Sequence, residues 1–291
     1  MPEPSTATRW TIRDVIGWTV AHFQRKGIRT ARLDAEVLLA HSLGVNRLYL
    51  YLNLDRPLAL DERKRYRELV QRRSRREPVA YLVGEREFWS LTFRIRPGVL
   101  IPRPETELLV NATVREIRNQ ESPLVLEIGT GSGAVAVAVA REVPQAWVVA
   151  TDISLSALAL AQLNAEQCGV RDRIHFVASD LFSGFKGGHH FHVICSNPPY
   201  IPSSAIEILE PEIRDYEPRH AIDGGPDGLD VIRALITQAP RYLKSGGCLM
   251  TEIGENQETR VREMFLNLGG FKDIKTLRDL ASLPRVVCGR S

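Results

Sequence analysis

The chain of 291 residues has only four cysteines, few aromatics (7%) and a net charge of only +3. Each shortage removes a class of protein. Cys168, Cys195, Cys248 and Cys288 are widely spaced, with no Cys-x-x-Cys pair and no Cys/His cluster. Neither a zinc site nor a disulfide framework is expected, and no metal is assigned. The most apolar uncharged stretch, Gly129 to Ala140, is far short of the ~20 residues that span a bilayer. The opening Met1 to Trp10 is polar and has no signal-peptide core. A cytoplasmic protein with reduced thiols and no membrane partner is expected. Internal repeats and low-complexity tracts are absent too. What remains, 44% hydrophobic and 25% charged residues, is ordinary for a globular chain with material for about two domains.

Charge is unevenly spread. Residues 1–87 hold 17 Lys and Arg against 11 Asp and Glu. The excess gathers in Arg63, Lys64, Arg65, Arg67, Arg72, Arg73, Arg75 and Arg76. Such a run serves either as a solvated helix face or as a dock for RNA or an acidic protein surface. Docking is the favoured reading, because this region carries no catalytic motif.

Residues 9–80 read as helical. Ile12, Val15, Ile16, Val20 and Phe23 form one apolar face; Leu33, Val37 and Ala40 a second; Tyr66, Leu69 and Val70 a third. Gly27, Gly44 and Pro57 separate the segments, and Asp34 and Asp61 suit helix starts. A small bundle is predicted. Near residue 80 the pattern changes: Phe88 to Arg96 alternates as a hairpin does. Beyond it, short apolar strands recur at Leu124–Ile128, Trp147–Asp152, Ile174–Ala178, His192–Ser196, Cys248–Ile253, Phe271–Lys275 and Val286–Cys288. Ala134–Arg141 and Ala157–Gln167 read as helices between the early ones. Strand–helix alternation implies a parallel sheet covered on both faces.

Chemistry gathers where those strands end. The first runs into Glu127-Ile128-Gly129-Thr130-Gly131-Ser132-Gly133-Ala134. Glycines there permit a tight turn and close backbone approach to a ligand, and the next helix offers free N–H groups. Asp152 closes the second strand, where a carboxylate holds ribose hydroxyls. Asp180 follows the third, placed to accept from an adenine amino group, with Leu181 or Phe182 against the ring. Taken singly, each acid is as well explained by a cap or turn; together with the loop they indicate an adenosine-bearing ligand. NAD and S-adenosylmethionine both remain open at this point.

The fourth strand enters Asn197-Pro198-Pro199-Tyr200. Two prolines stiffen the chain and remove two N–H groups. Asn197 adds an acceptor oxygen and Tyr200 a ring. Rigid acceptors beside an aromatic suit a planar –NH2 group. An amide nitrogen is a poor nucleophile; accepting both its protons orients it for attack on an electrophilic methyl, so catalysis would rest on positioning and electrostatics.

Glu127–Gly133 followed by Asn197–Tyr200 resembles the S-adenosylmethionine-dependent amino-methyltransferases. Pro78–Gly84, Glu87–Trp89, Val99–Glu107, Tyr216–Asp230, Leu33–Leu39, and Glu252–Gly254 with Gln257 narrow the resemblance to the PrmC/HemK family, the release factor glutamine methyltransferases. It covers essentially the whole chain, and Arg103 to Glu107 is its most specific part. It implies an α/β protein: an N-terminal helical bundle plus a Rossmann-like class I S-adenosylmethionine-dependent methyltransferase domain with a mostly parallel seven-stranded sheet. The expected domains are 1–85, helical and substrate-docking; 86–103, a hairpin linker; and 104–291, the methyltransferase domain.

By resemblance, Gly129, Thr130, Gly131, Ser132 and Gly133 line the cofactor's methionine and ribose. Asp152 holds the ribose, and Asp180 and Leu181 flank the adenine. Asn197, Pro198, Pro199 and Tyr200 grip the substrate glutamine, with Asn197 also near the methyl; Asn197, Pro198 and Tyr200 are the catalytic candidates. The implied cofactor is S-adenosylmethionine, leaving as S-adenosylhomocysteine. The implied partners are class-I peptide release factors, methylated at the Gly-Gly-Gln glutamine by a monomeric enzyme with no stable nucleic-acid partner. Glu127 and Ser132 depart from the more frequent Asp and Thr but keep the same polar function, and Leu181 stacks less well than an aromatic would. Arg103 to Glu107 reads as a helix start, as a lid over the methionine end, or both. His220 receives no role.

Three rivals share parts of this pattern. A nucleic-acid amino-methyltransferase, acting on adenine N6, cytosine N4 or guanine N2, fits the basic run but lacks a target-recognition insert. A NAD-dependent oxidoreductase would need a hydride-transfer set that is missing. A non-catalytic adenosine binder has no use for an –NH2 clamp.

Overall fold

A computed structural model describes residues 9–188, 190–268 and 270–291. By packing, the chain falls into two units, one closing at Gly84 and taking in Pro211–Tyr216, the other comprising Glu85–Glu210 and Glu217–Ser291.

The first unit holds α1 (Ile12–Arg25), α2 (Ala31–Leu43), α3 (Arg47–Leu52), α4 (Leu60–Ser74) and α5 (Val79–Val83). Thr11 and Asp14 close a reciprocal capping box at the start of α1, which satisfies two N–H groups the helix leaves open. Ile12, Val15, Phe23, Leu38, Leu39 and Tyr66 form the core, and the Tyr66 hydroxyl donates to the Ala35 carbonyl at 3.1 Å. One predicted face needs correction. Ala40 is buried as expected, but Leu33 is 45% exposed and Val37 only half-buried; Ala31, Ala35, Leu38 and Leu39 turn inward in their place. These four keep the i, i+4, i+7, i+8 spacing, so the true stripe lies a fraction of a turn away.

Half of the basic run, four of its eight residues, is ion-paired within its own unit. Arg65 pairs with Asp61 at 3.0 Å and Arg72 with Glu77. Arg73 is buried, with Asp34 at 2.8 Å and Glu212 at 2.7 Å. Arg76 also reaches Glu212 at 2.7 Å. Asp34 lies in the first turn of α2, as expected, and from there also serves as one acid of a buried ion cluster.

The second unit opens with a hairpin, β1 (Glu85–Phe88) and β2 (Leu91–Arg94). Its two turn residues, Trp89 and Ser90, both have positive φ, at 53° and 55°. The predicted hairpin therefore begins earlier, at Glu85, and turns where alternation suggested strand. Glu107 accepts from the Trp89 backbone N–H and Glu142 from its indole, which holds a turn that side-chain-bearing residues rarely adopt.

Seven strands follow: β3 (Leu124–Ile128), β4 (Trp147–Asp152), β5 (Ile174–Ala178), β6 (Phe191–Ser196), β7 (Leu243–Glu252), β8 (Lys272–Arg278) and β9 (Pro284–Arg290). Their order is β5-β4-β3-β6-β7-β9-β8. The first five of these pair in parallel; β9 runs antiparallel to both β7 and β8. Helices α6 (Glu107–Ile117), α7 (Ala134–Glu142), α8 (Leu155–Gln167), α10 (Asp230–Gln238) and α11 (Glu258–Asn267) belong to this unit, whereas α9 (Pro211–Arg214) belongs to the first. In α7 every residue from Ala134 to Ala140 is buried, as a helix apolar on all sides requires. The sheet is thus the expected mostly parallel one of seven strands. Strands β3 and β6 lie side by side at its centre, β3 continued on one side by β4 and β6 on the other by β7. The chain reverses its direction of travel between β3 and β6, and a ligand crevice opens at such a switch point. Among the described residues, no helix is long and apolar enough to cross a membrane.

Candidate active site

A cavity of about 310 Å³ opens at the carboxyl ends of β3, β4, β5 and β6. It falls at the lower end of the size range of small-molecule sites.

The loop after β3 forms one wall. Gly129, Thr130, Gly131 and Ser132 line it. Gly129 and Gly131 adopt φ of 76° and 55°, the left-handed region that glycine enters without steric cost. Gly133 does not line the cavity. Its φ is 82°, and a Cβ there would stand 2.9 Å from the Ala161 Cβ. Its place is the close contact between the start of α7 and the face of α8.

Beneath the loop lies Glu127, buried, accepting from the Thr130 hydroxyl at 2.7 Å and the Ala136 N–H at 3.0 Å. Burial pushes its pKa up to about 8, against the two hydrogen bonds, which favour charge. Asp152 closes β4 and lines the cavity. One of its oxygens accepts from the Gly131 N–H at 2.9 Å and the other from the Ser154 N–H at 2.8 Å. Loop and carboxylate therefore hold each other, and the remaining lone pairs stay available to a ligand.

Asp180 and Leu181 line the same cavity. Leu181 takes φ of 46°, an uncommon state for a bulky residue and one found at ligand clamps. Ser179 sustains it, donating to the Leu181 carbonyl and accepting from the Gly184 N–H, both at 2.9 Å.

From β6 come Asn197, Pro198 and Pro199, all on the cavity wall. Asn197 Nδ2 donates to Thr106 Oγ1 at 3.0 Å. Tyr200 is not on the wall. Its ring packs into the core cluster of the sheet, and its hydroxyl approaches Glu252 Oε1 at 3.4 Å. Burial and the Glu252 charge push the Tyr200 pKa up. Its backbone carbonyl is occupied by Gln257 Nε2 at 2.9 Å.

The structure thus gathers Gly129 to Ser132, Asp152, Asp180, Leu181 and Asn197 to Pro199 on one surface, and leaves Gly133 and Tyr200 behind it. It also adds residues outside the expected site set, two of them from the Arg103–Glu107 stretch read as a helix start or a lid. Arg103 and Thr106 line the cavity; the buried Glu217 accepts from the Arg103 guanidinium and, at 3.3 Å, from the Ile101 N–H. His220 lies on the wall as well. Glu252 is 1% exposed at the end of β7. Desolvation pushes its pKa up to about 7, opposed by the Thr106 and Tyr200 hydroxyls and reinforced by Glu105. The one sequence signal for Glu252 and Gln257 is their place in the Glu252–Gly254 motif. Neither follows from local pattern.

Residues 14–84 match a family model described as the PrmC N-terminal domain, and residues 104–210 one described as the methyltransferase small domain. A release factor glutamine methyltransferase of Rhodopirellula baltica is 43% identical over 99% of this chain and 98% of its own length. One of Geobacter sulfurreducens is 46% identical over 97% of both. Among solved structures, a methyltransferase from Pyrococcus furiosus superposes with a TM-score of 0.51 at 19% identity, covering 69% of this chain and 88% of that one; the likeness is one of fold.

Proposed function

The chain belongs to the release factor glutamine methyltransferase family, and from that premise we propose that it moves a methyl group from S-adenosylmethionine to the side-chain amide nitrogen, N5, of the glutamine in the Gly-Gly-Gln loop of class-I peptide release factors. One observation carries the reading: the glycine loop and the Asn197–Pro199 acceptors line a single cavity.

The donor set suits the cofactor. Glu127, Asp152 and Asp180 put three carboxyl groups along one cavity, which matches a ligand bearing cationic centres, ribose hydroxyls and an amino group. When bound, S-adenosylmethionine supplies an electrophilic methyl on a sulfonium sulfur. The chain's part is to hold and orient. Asp152 takes the ribose hydroxyls on lone pairs its two backbone bonds leave free. Asp180 accepts from the adenine amino group while Leu181 covers the ring. Gly129 to Ser132 admit the ligand against bare backbone.

For the substrate amide, the acceptors are Asn197 Oδ1 and the Pro198 carbonyl. Tyr200 and its Gln257-bound carbonyl stand behind them as support. Accepting both N–H protons fixes the amide plane and favours electron density on nitrogen. Alignment and fixed dipoles then make a strong base unnecessary before attack, and the proton the nitrogen gives up on methylation passes by way of the acceptor it faces to solvent.

Labelled S-adenosylmethionine, a purified class-I release factor and its Gly-Gly-Ala variant test this directly. Mass spectrometry should find the methyl on the loop glutamine and none on the variant. Label on RNA or DNA instead would keep the amino-methyltransferase chemistry and overturn the substrate.

A further inference from the structure

Thr151 and Asp152, at the end of β4, hold the first half of the glycine loop. The Gly129 and Thr130 N–H groups donate to the Thr151 carbonyl at 2.9 and 2.8 Å, and the Gly131 N–H to Asp152 at 2.9 Å. The second half is held differently. Ser132 precedes the Gly133 cap of α7, so its carbonyl lies outside the helical ladder. The Val137 N–H goes to the Gly133 carbonyl at 2.9 Å, and the Ala136 N–H to the Glu127 carboxyl at 3.0 Å. Ser132 is itself 3% exposed. A buried carbonyl without a donor is costly, and here the donor comes from α8: Asn164 Nδ2 reaches the Ser132 oxygen at 2.8 Å.

Asn164 is fully buried, and backbone groups of fixed polarity hold it one way round. Its Oδ1 accepts from the Arg94 N–H at 2.8 Å, and its Nδ2 donates to the Arg94 carbonyl at 3.1 Å. That pairing uses one amide proton and aims the other at Ser132. A flipped carboxamide would set N–H against N–H and oxygen against two carbonyls. Arg94 closes β2, and the same segment soon reaches the cavity wall at Gly98, Val99 and Leu100. Val99 packs there with Ala157 and Leu160 of α8. Asn164 does not line the cavity, yet it fastens two stretches of its wall to one point.

We propose that Asn164 is a positioning residue for S-adenosylmethionine binding: by joining the Ser132 carbonyl to the Arg94 backbone, it keeps the glycine loop in the shape that admits the cofactor. The inference rests on the cofactor reading above and adds to it the group that holds the loop's second half. A loop that keeps its binding shape only part of the time lowers apparent affinity by that fraction. Bound cofactor restores the shape, so the loss falls on cofactor affinity and not on the saturated rate.

Two variants and one control test this. Asn164→Asp keeps the size and the acceptor for the Arg94 N–H but, ionised, turns its second oxygen toward the two carbonyls. Asn164→Ala removes all three bonds and introduces nothing that clashes. Each should raise the Kd for S-adenosylmethionine, read by calorimetry, about 10- to 100-fold. The cofactor KM should rise with it, while kcat at saturating cofactor, with the release factor as acceptor, stays within about threefold. Gln167 supplies the control. It too ties α8 to β2, donating to the Thr92 carbonyl at 2.9 Å and accepting from Arg94 Nε at 3.0 Å. Gln167→Ala should therefore leave the Kd within about twofold. A merely structural role for Asn164 would lower the urea midpoint and leave the Kd alone. An unchanged Kd in folded Asn164→Ala overturns the inference, and so does an equal rise in Gln167→Ala, which would trace the effect to the hairpin. Asn164→Ala decides even where Asn164→Asp fails to fold. Wild-type protein that binds no S-adenosylmethionine overturns the cofactor reading and this inference together; wild-type binding with unaffected variants overturns this inference alone.

Discussion

Gln257 Nε2 donates to the Tyr200 carbonyl oxygen at 2.9 Å, and the same nitrogen reaches the Gly228 carbonyl at 3.2 Å while Gln257 Oε1 accepts from the Gly254 N–H at 2.8 Å. One side chain thus ties the end of the Asn-Pro-Pro-Tyr clamp to the glycine loop before α10 and to the end of β7. Gly228 allows this approach: a Cβ there would stand 2.4 Å from the Tyr200 oxygen. Gln257→Leu strips two carbonyls and one N–H of their partners. It should cost about 3 kcal/mol of stability, read from urea denaturation, and lower kcat about tenfold through a loosened clamp. An unchanged denaturation midpoint would show that the three bonds are readily replaced.

Gly133→Ala meets two obstacles, a φ of 82° and an Ala161 Cβ 2.9 Å away. Forcing α7 and α8 apart should destabilise the protein by about 2 kcal/mol. It should also weaken S-adenosylmethionine binding, because the shifted residue ends the loop that lines the cavity. Ala161→Gly in the same chain should recover part of both losses by removing the contact. Thermal denaturation and titration calorimetry would read the two effects.

Glu127 and Glu252 give the unliganded protein a pH dependence of definite sign. Burial raises them from 4.5 to about 8 and about 7. Between the unfolded and folded values, the folded chain keeps protons that the unfolded chain has released. The stabilisation from the neutral forms is complete below pH 4.5 and is lost as pH rises toward 7 and 8. Each group contributes a slope of at most about 1.4 kcal/mol per pH unit. Denaturation midpoints should therefore fall from pH 5 to 8, and less so in Glu127→Gln. A midpoint that rises with pH over this interval in the wild type but not in the variant would contradict the assignment.

Arg73 is 4% exposed and holds Asp34 and Glu212 together. Arg73→Leu leaves the buried Asp34 without its cation and Glu212 with Arg76 alone. It should cost about 3–5 kcal/mol, the usual penalty for orphaning a buried charge. Arg65→Ala, whose pair is exposed, should cost under about 1 kcal/mol. Comparable losses from both would deny Arg73 its special place. Chemical denaturation followed by helix signal would separate them.

Much of this was legible in the chain. Strands β3, β4 and β5 begin and end where their runs of strand-forming residues do, although only β3 is buried almost throughout, β4 and the edge strand β5 being part-exposed. β7 was harder: Leu243 to Gly247 is short of strand formers, yet Phe191 pairs with Leu243 across an irregularity that shifts the register before Val193. No local preference marks that pairing. The wall of the cavity was legible for a related reason: glycines, acids and the Asn-Pro-Pro run stand at strand ends, where such sheets bind their ligands.

The sequence by itself determined the strands of the sheet in outline, most of the residues on the cavity wall and, through its motifs, the family. Only the tertiary structure decided what stands behind that wall. Thr106 reaches Asn197 across 91 positions, Glu252 meets Tyr200 across 52, and Arg73 finds Glu212 across a still longer stretch. Periodicity and propensity are local, whereas a buried polar group is satisfied by whichever partner the fold brings within about 3 Å. A binding surface can be read from residues that end strands; its orientation depends on hydrogen bonds that exist only once distant strands lie side by side.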